Sequence, residues 1–278
     1  MRIAIQGEPG AFSHEAAIKL VPDAEIVPFT LSAEVFAALS RGKVDAAAIP
    51  IENSLAGSVS EHFDLLLEHD VKVVSETPLR IRHNLIGLAG ARIPEITRVF
   101  SHPVALAQCR RFLANHSQMG VFAFYDTAGS VKHVVEIGDR YAAAIASDAA
   151  ARYYGAQILR SGIEDNPENY TRFLLVLRTA DAVIDPQANK ISLAFSLDNR
   201  PGSLSDALLE LKQLGTNLTK IESRPVHGKP WEYIFYVDCQ IQAASEGERV
   251  VEALRRHCGM VKELGRYRES RMEEAARS

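Results

Sequence analysis

Along the first 178 residues, apolar positions come in short runs, and between the runs they recur at the three-to-four spacing of a helix face. The runs "RIAIQ", "AEIVPF", "DAAAIPI", "HNLIGLA", "RVFS", "VFAFY", "YAAAIA" and "RFLLVLR" predict strands. Between them "SHEAAIKLV", "SAEVFAALSRG", "HFDLLLEH", "PVALAQCRRFLANH", "AGSVKHVVEIG" and "SDAAARYYG" predict helices. Alternation of this kind is the rhythm of an α/β fold with largely parallel strands.

The rhythm lapses over "DAVIDPQANK", residues 181–190, where polar residues and proline mark a linker. A different pattern follows. "KISLAFSL" alternates as a strand, and "SLSDALLELKQLG" sets Leu204, Ala207, Leu208 and Leu211 on one helical face with Gly215 as its stop. Then come "NLTKIESRPV", "WEYIFYVDC", the helical "EGERVVEALRRHC" and "VKELGRY". The order is βαββαβ, a ferredoxin-like unit, and residues 269–278 read as a solvated tail.

Composition narrows the partners. The 278 residues are 47% hydrophobic and 24% charged, with both signs mixed and a net charge of −4. Without a Lys/Arg block there is no basic surface to neutralise phosphates, so nucleic acid is excluded as the main partner and small molecules are expected. Cys109, Cys239 and Cys258 are odd in number and far apart, which predicts reduced core thiols rather than a disulfide framework or zinc site. The opening "MRIAIQGEPG" reads as neither signal peptide nor anchor and no later run reaches spanning length, so the cytoplasm is the expected compartment and no membrane partner is expected.

Polar groups gather where strands end, the positions at which open α/β sheets hold ligands. After the first strand, "QGEPGAFSHEAA" offers Gly7 and Gly10 for close backbone approach, with Ser13 as the expected helix cap. In "IPIENSLAGSV", Glu52, Asn53 and Ser54 interrupt a buried strand, as a ligand site or as a plain Asx turn. In "FSHPVALAQC", Ser101 is the expected N-cap before Pro103, and Gln108 lies about 10 Å further along the same face. "FYDTAGSV" ends a strand on Asp126 and Thr127, and "NPENYTRFLLV" sets Thr171 and Arg172 at a strand entrance. Helix capping and surface ion pairs account for each alone; five together suggest an anion-friendly cleft. No metal-ligand spacing, G-x-S-x-G elbow or phosphate-binding glycine loop is present, and no cofactor is expected. The residues by themselves do not name a reaction.

Taken in order, "GEPGAFSHEAA", "IPIENSLAGSVSEHFDLL", "SHPVALAQC", "YDTAGSV", "AAIASDAAARYYG" and "NYTRFLLV" resemble the prephenate dehydratase family, and "RPGSLSDAL" with "NLTKIESRP" is similar to its regulatory ACT domain. The resemblance implies a two-lobed catalytic domain similar to type II periplasmic binding proteins over residues 1–180, with lobe one at 1–78 and 170–180 and lobe two at 79–169. It implies an ACT domain over 188–268. The implied reaction is the decarboxylating dehydration of prephenate to phenylpyruvate on the way to phenylalanine. Arogenate, with an amino group in place of the keto group, is the alternative substrate, and a non-catalytic solute-binding or amino-acid-sensing protein is the alternative of another class. The family's catalytic threonine maps onto Thr171. Asn53, Ser101 and Gln108 match its substrate-binding positions, with Ser54, Thr127, Arg172 and Phe173 as further candidates; Arg172 fits either a substrate clamp or a structural ion pair. Phenylalanine is implied as effector at an intersubunit site made by Gly202, Ser203, Leu204, Asn217, Leu218, Glu222, Ser223 and Arg224, which requires at least a dimer, and a tetramer is expected. Ser203 with Asp206 as a capping box explains the same glycine-serine start without a ligand.

Overall fold

The computed structural model describes residues 1–226, 228 and 231–270. By compactness the described residues divide into two units: Met1–Val59 with Thr77–Phe173, and Ser60–Glu76 with residues 174–270. In sequence order, β1 (Arg2–Gln6), α1 (Phe12–Leu20), β2 (Glu25–Phe29), α2 (Ser32–Ser40), β3 (Ala46–Asn53) and the two-residue β4 (Gly57–Ser58) lead into α3 (Ser60–Glu68) and β5 (Val71–Arg80). Then follow β6 (Asn84–Gly87), β7 (Arg98–Ser101), α4 (Pro103–Ala107), α5 (Arg110–Ala114), β8 (Gly120–Ala123), α6 (Thr127–Ile137), β9 (Ala142–Ala146), α7 (Asp148–Tyr154), β10 (Gln157–Arg160) and β11 (Tyr170–Arg178).

The first sheet has the order β2-β1-β3-β11-β5, and the second β10-β6-β9-β7-β8. Both follow one plan. In the first, β1 lies parallel between β2 and β3, and β11, arriving from the other lobe, is the fourth strand. In the second, β7 lies parallel between β8 and β9, and β6, the first strand after the chain crosses over, is again fourth. Two crossings and a twice-used strand order make the expected two-lobed architecture. The second sheet is more mixed than the apolar pattern predicts, because β6 runs antiparallel to both β9 and β10.

Small residues allow this packing. The run Ala142–Ala146 is completely buried, and Ala142, Ala144 and Ala146 with Ala128 of α6 and Ala150 of α7 belong to one core cluster, so both helices approach the strand closely. Asp126 caps α6 by accepting from the Gly129 N–H at 2.6 Å, and Ser147 caps α7 by accepting from the Ala150 N–H at 3.0 Å. The expected cap at Ser13 is corrected: α1 starts at Phe12 with Ala11 as N-cap, and Ser13 lies buried inside the first turn.

The ferredoxin-like pattern is observed as β12 (Lys190–Ser196), α8 (Ser203–Gln213), β13 (Asn217–Pro225), β14 (Tyr233–Gln240), α9 (Glu246–Arg255) and β15 (Met260–Tyr267), with the antiparallel order β13-β14-β12-β15. Its core joins Ile191, Leu193 and Phe195 of β12 to Leu211 of α8 and Leu254 of α9. The expected Ser203/Asp206 capping box does not form. Gly202, at φ 86°, is the N-cap, and Asp206 pairs instead with Arg200 at 3.2 Å. The same unit holds α3. Lys262 of β15 donates to the Leu66, Leu67 and His69 carbonyls at 3.0, 2.8 and 2.7 Å, satisfying orphan acceptors at the end of that helix. Arg224 forms a two-pronged pair with Asp64 at 2.9 and 2.6 Å.

Cys109, Cys239 and Cys258 are free thiols; burial pushes Cys239 up to about 12 and Cys258 up to about 11, which keeps both protonated. Of the expected tail, residues 271–278 lie outside the described residues.

Candidate active site

The polar strand ends of the first unit converge on β11. Asn53 closes β3, and its Oδ1 accepts from the Leu55 and Ala56 N–H groups at 3.0 and 2.8 Å. The Asx turn is therefore present, and it fixes which end of the amide faces β11. Asn53 Nδ2 lies 2.9 Å from Thr171 Oγ1, 2.7 Å from Asn169 Oδ1 and 3.1 Å from the Tyr170 carbonyl. With its oxygen thus accepting, Asn169 turns its own Nδ2 to Gln108 Oε1 at 2.8 Å, and the same oxygen meets His83 Nε2 at 2.9 Å.

Three residues singled out in the sequence, Asn53, Thr171 and Gln108, thus stand in one hydrogen-bonded chain with two that were not, Asn169 and His83. The missed Asn169 had a signal: on a strand, residues two apart share a face, and Asn169 precedes Thr171 by two. His83 had only its place in "RHNLIG", just before a buried strand. Burial holds the His83 imidazole below its ordinary pKa, so the ring is neutral at pH 7. An Nε2–H facing the Gln108 oxygen is the tautomer this geometry selects.

The remaining candidates divide. Ser54 Oγ donates to the Glu168 carbonyl and accepts from the Tyr170 N–H, both at 3.0 Å, which ties the segment before β11 to the end of β3. Ser101 is not the helix cap: it remains in β7, fully buried, and donates to the Ile145 carbonyl at 2.5 Å, while His102 Nδ1 accepts from the Val104 N–H. Gln108 does not share a helix face with Ser101, because α4 ends at Ala107 and Gln108 is its C-cap. Thr127 opens α6 and is half-buried. Arg172 Nε stands 2.7 Å from Glu52 Oε1 in a half-buried ion pair. Phe173 is 2% exposed and packs with Ala16, Leu79 and Ile81, so it supports the strand from below.

The glycine loop after β1 joins the lobes. Gly7 at φ 100° lies so close to Asp126 that a Cβ would stand 2.6 Å from Oδ2, and a Cβ on Gly10 would stand 2.7 Å from the Ala150 Cα. What those glycines let approach is the backbone and side chains of lobe two. Ser147 Oγ donates to the Gly10 carbonyl at 2.7 Å, and Glu8 accepts from Tyr125 Oη at 2.7 Å and Lys132 Nζ at 3.3 Å. Burial, with the Glu8 charge adding to it, raises the Asp126 pKa against the pull of the Gly129 and Glu8 N–H groups. Burial and then the Asp148 charge push the Glu15 carboxyl of α1 up to about 7.

Among the described residues no cluster of His, Cys, Asp or Glu could hold a metal ion. The arrangement offers neutral donors beside a hydroxyl: Thr171 Oγ1 accepts one amide hydrogen, which leaves its own O–H to donate elsewhere, and Gln108, with its oxygen engaged twice, keeps its Nε2 hydrogens for another partner.

In the second unit Gly202 and Ser203 start α8, and Leu204 and Leu218 lean on its core. Asn217 donates to Gln240 Oε1 at 2.9 Å, Glu222 lies 4.0 Å from Lys220, Ser223 is exposed, and Arg224 is held by Asp64.

The sequence model of the prephenate dehydratase domain matches residues 3–181. Arogenate dehydratase/prephenate dehydratase 2 of Arabidopsis thaliana, a chloroplastic protein, is 39% identical over 282 residues, covering 96% of this chain and 72% of that protein. Prephenate dehydratase of Arthrobacter aurescens, solved in complex with L-Phe, superposes with a TM-score of 0.87 at 29% identity over 100% of this chain and 91% of that one. A structure described as GqqA, a novel type of quorum quenching acylases, superposes with a TM-score of 0.89 at 32% identity over 98% and 100%. A family match across most of the two-lobed unit and a relative 39% identical over nearly the whole chain carry the conclusion that this chain belongs to the prephenate dehydratase family.

Proposed function

We propose that the chain converts prephenate to phenylpyruvate, water and carbon dioxide, with Thr171 donating a hydrogen bond to the departing hydroxyl. The carboxylate on the ring leaves as carbon dioxide, the electron pair of the broken C–C bond enters the ring, and the C–O bond opposite breaks as the ring becomes aromatic. Hydroxide takes up a proton and leaves as water. An unperturbed threonine hydroxyl is far too weak an acid to supply that proton outright; it stabilises charge on the leaving oxygen while the proton comes from solvent. The observation that carries this reading is the Asn53 amide on Thr171 Oγ1 at 2.9 Å, which turns the threonine into a donor.

Gln108 and Asn53 orient the substrate, and Ser54, Ser101 and Thr127 shape the surrounding strand and helix ends. Arg172 serves through its pair with Glu52 and Phe173 through packing. Neutral donors suit this reaction, because a cation locked onto the departing carboxylate would favour the ground state over the transition state. Residues 1–180 form the catalytic domain and residues 188–268 an ACT domain whose proposed effector is phenylalanine, the ligand of the Arthrobacter aurescens structure. Such a site requires self-association, with a dimer as the minimum. Among the described residues no helix is long and apolar enough to cross a membrane, and the cytoplasm is the proposed compartment.

The test is formation of phenylpyruvate from prephenate by the purified chain, with arogenate assayed in parallel because the Arabidopsis thaliana relative carries both names. Turnover of arogenate alone would replace the prephenate reading. The description of GqqA as a quorum quenching acylase stays with that protein. An acylase needs an activated nucleophile, whereas Thr171 Oγ1 here faces an amide donor, and Ser101 Oγ points into its sheet.

A further inference from the structure

We propose that Asn169 and His83 are positioning residues that set the hydrogen-bond polarity of the site, so that Thr171 and Gln108 both present donors to the substrate. The proposal rests on the dehydratase reading and adds to it two residues that touch neither substrate nor reacting atoms.

A carboxamide can rotate by half a turn and exchange its donor for its acceptor at almost no steric cost, so an amide in a site has no fixed polarity unless its neighbours impose one. At one end of this chain the Leu55 and Ala56 N–H groups occupy Asn53 Oδ1, and backbone N–H groups cannot change role. Asn53 Nδ2 must then face Thr171 and Asn169. Asn169 is completely buried and receives that donor on Oδ1, so its own Nδ2 faces Gln108. At the other end His83, 2% exposed, places Nε2 2.9 Å from the same Gln108 oxygen, and with that oxygen fixed by Asn169 the neutral ring takes the tautomer that carries Nε2–H. Two donors then meet on Gln108 Oε1, and a flipped Gln108 would set its NH₂ against the Asn169 Nδ2. The whole polarity of the chain, from the Asx turn to the imidazole, leaves one free O–H on Thr171 and free N–H groups on Gln108. Remove Asn169 Nδ2 and the constraint fails in the middle: Gln108 can flip, and its acceptor then faces a substrate that bears carboxylates.

Asn169→Asp tests this with a nearly isosteric side chain. The ionised carboxylate has no hydrogen for Gln108 Oε1, whereas the protonated acid has one. The expected result is a kcat for prephenate lowered by about 10²-fold at pH 8, with the variant-to-parent ratio rising as pH falls toward 5 and the thermal transition retained. A folded Asn169→Asp enzyme whose kcat equals the parent's, or whose deficit is the same at every pH, would overturn the proposal. Should Asn169→Asp fail to fold, the opposite end of the chain decides. His83→Gln can place an amide N–H where Nε2 stands and is expected to stay within about threefold of the parent, while His83→Phe, which lacks a donor, is expected to lose at least about tenfold in kcat/KM. Equal activities for these two would contradict the assignment. An unsubstituted chain that fails to turn over prephenate would instead remove the dehydratase reading itself, so the two failures are distinguishable.

Discussion

Thr171 accepts one hydrogen from Asn53 and keeps its own to give, and the first predictions concern that hydrogen. Thr171→Ala is expected to lower turnover by about 10²-fold or more without moving the melting temperature appreciably. Thr171→Ser, which keeps the hydroxyl, is expected to stay within about tenfold; a serine variant as slow as the alanine one would assign the effect to the methyl group. Arg172 answers differently. Its side chain is 14% exposed and that of the paired Glu52 35%, so Arg172→Gln removes a half-buried ion pair and is expected to lower the melting temperature modestly together with activity, as differential scanning calorimetry would register. An unchanged melting temperature with lost substrate affinity would return Arg172 to the clamp left open by the sequence. Thr171, Asn53 and Gln108 were legible because polar residues at the ends of apolar strands stand out. Asn169 was hidden in a polar stretch of "NPENY", and nothing local in "RHNLIG" marks His83 as facing an amide 25 residues further on.

Helix and strand ends carry the next set of effects. Glu15 on α1 has its carboxyl raised from 4.5 to about 7, first by burial and then by Asp148 at the start of α7. In the unfolded chain it is ionised above its ordinary value, so between 4.5 and about 7 the folded state binds the extra proton. Stability therefore falls as pH rises through that window, by roughly 3 kcal/mol once both states are ionised. Glu15→Gln removes the titration, and its melting temperature relative to the parent is expected to climb between pH 5 and pH 8; a constant difference would show that the burial does not act on this carboxyl. At the element level the alternating pattern located most strands, and the lapse at 181–190 falls just before β12, where the βαββαβ pattern begins. It missed β5 because "VKVVSETPLR" carries Lys72, Glu76 and Thr77, polar groups that find partners or burial: Lys72 donates to the Glu263 carbonyl and Lys190 pairs with Glu76 at 2.8 Å. Ser101 was misplaced for a local reason. Ser before His-Pro looks like an N-cap, yet its hydroxyl finds the Ile145 carbonyl first and leaves capping to the histidine ring.

At the scale of the whole molecule, α3 connects the proposed regulatory sheet to the proposed active site through the chain itself. It begins seven residues after Asn53; Lys262 grips its carbonyl end, and Arg224 of "NLTKIESRP" is engaged by Asp64 on its side. Phenylalanine can inhibit only by binding better to a less active arrangement. Asp64→Asn, which weakens the Arg224 pair, is expected to change the phenylalanine concentration for half inhibition by several-fold with little effect on uninhibited turnover. Titrations of phenylalanine against activity that superpose for parent and variant would disconnect α3 from regulation. Every such effect presupposes the reaction. The direct measurement is the rate of phenylpyruvate appearance from prephenate with purified parent and Thr171→Ala proteins of equal thermal stability: the expected result is robust turnover by the parent and a loss of about 10²-fold or more in the variant, and near-equal rates, or none from the parent, would contradict the account.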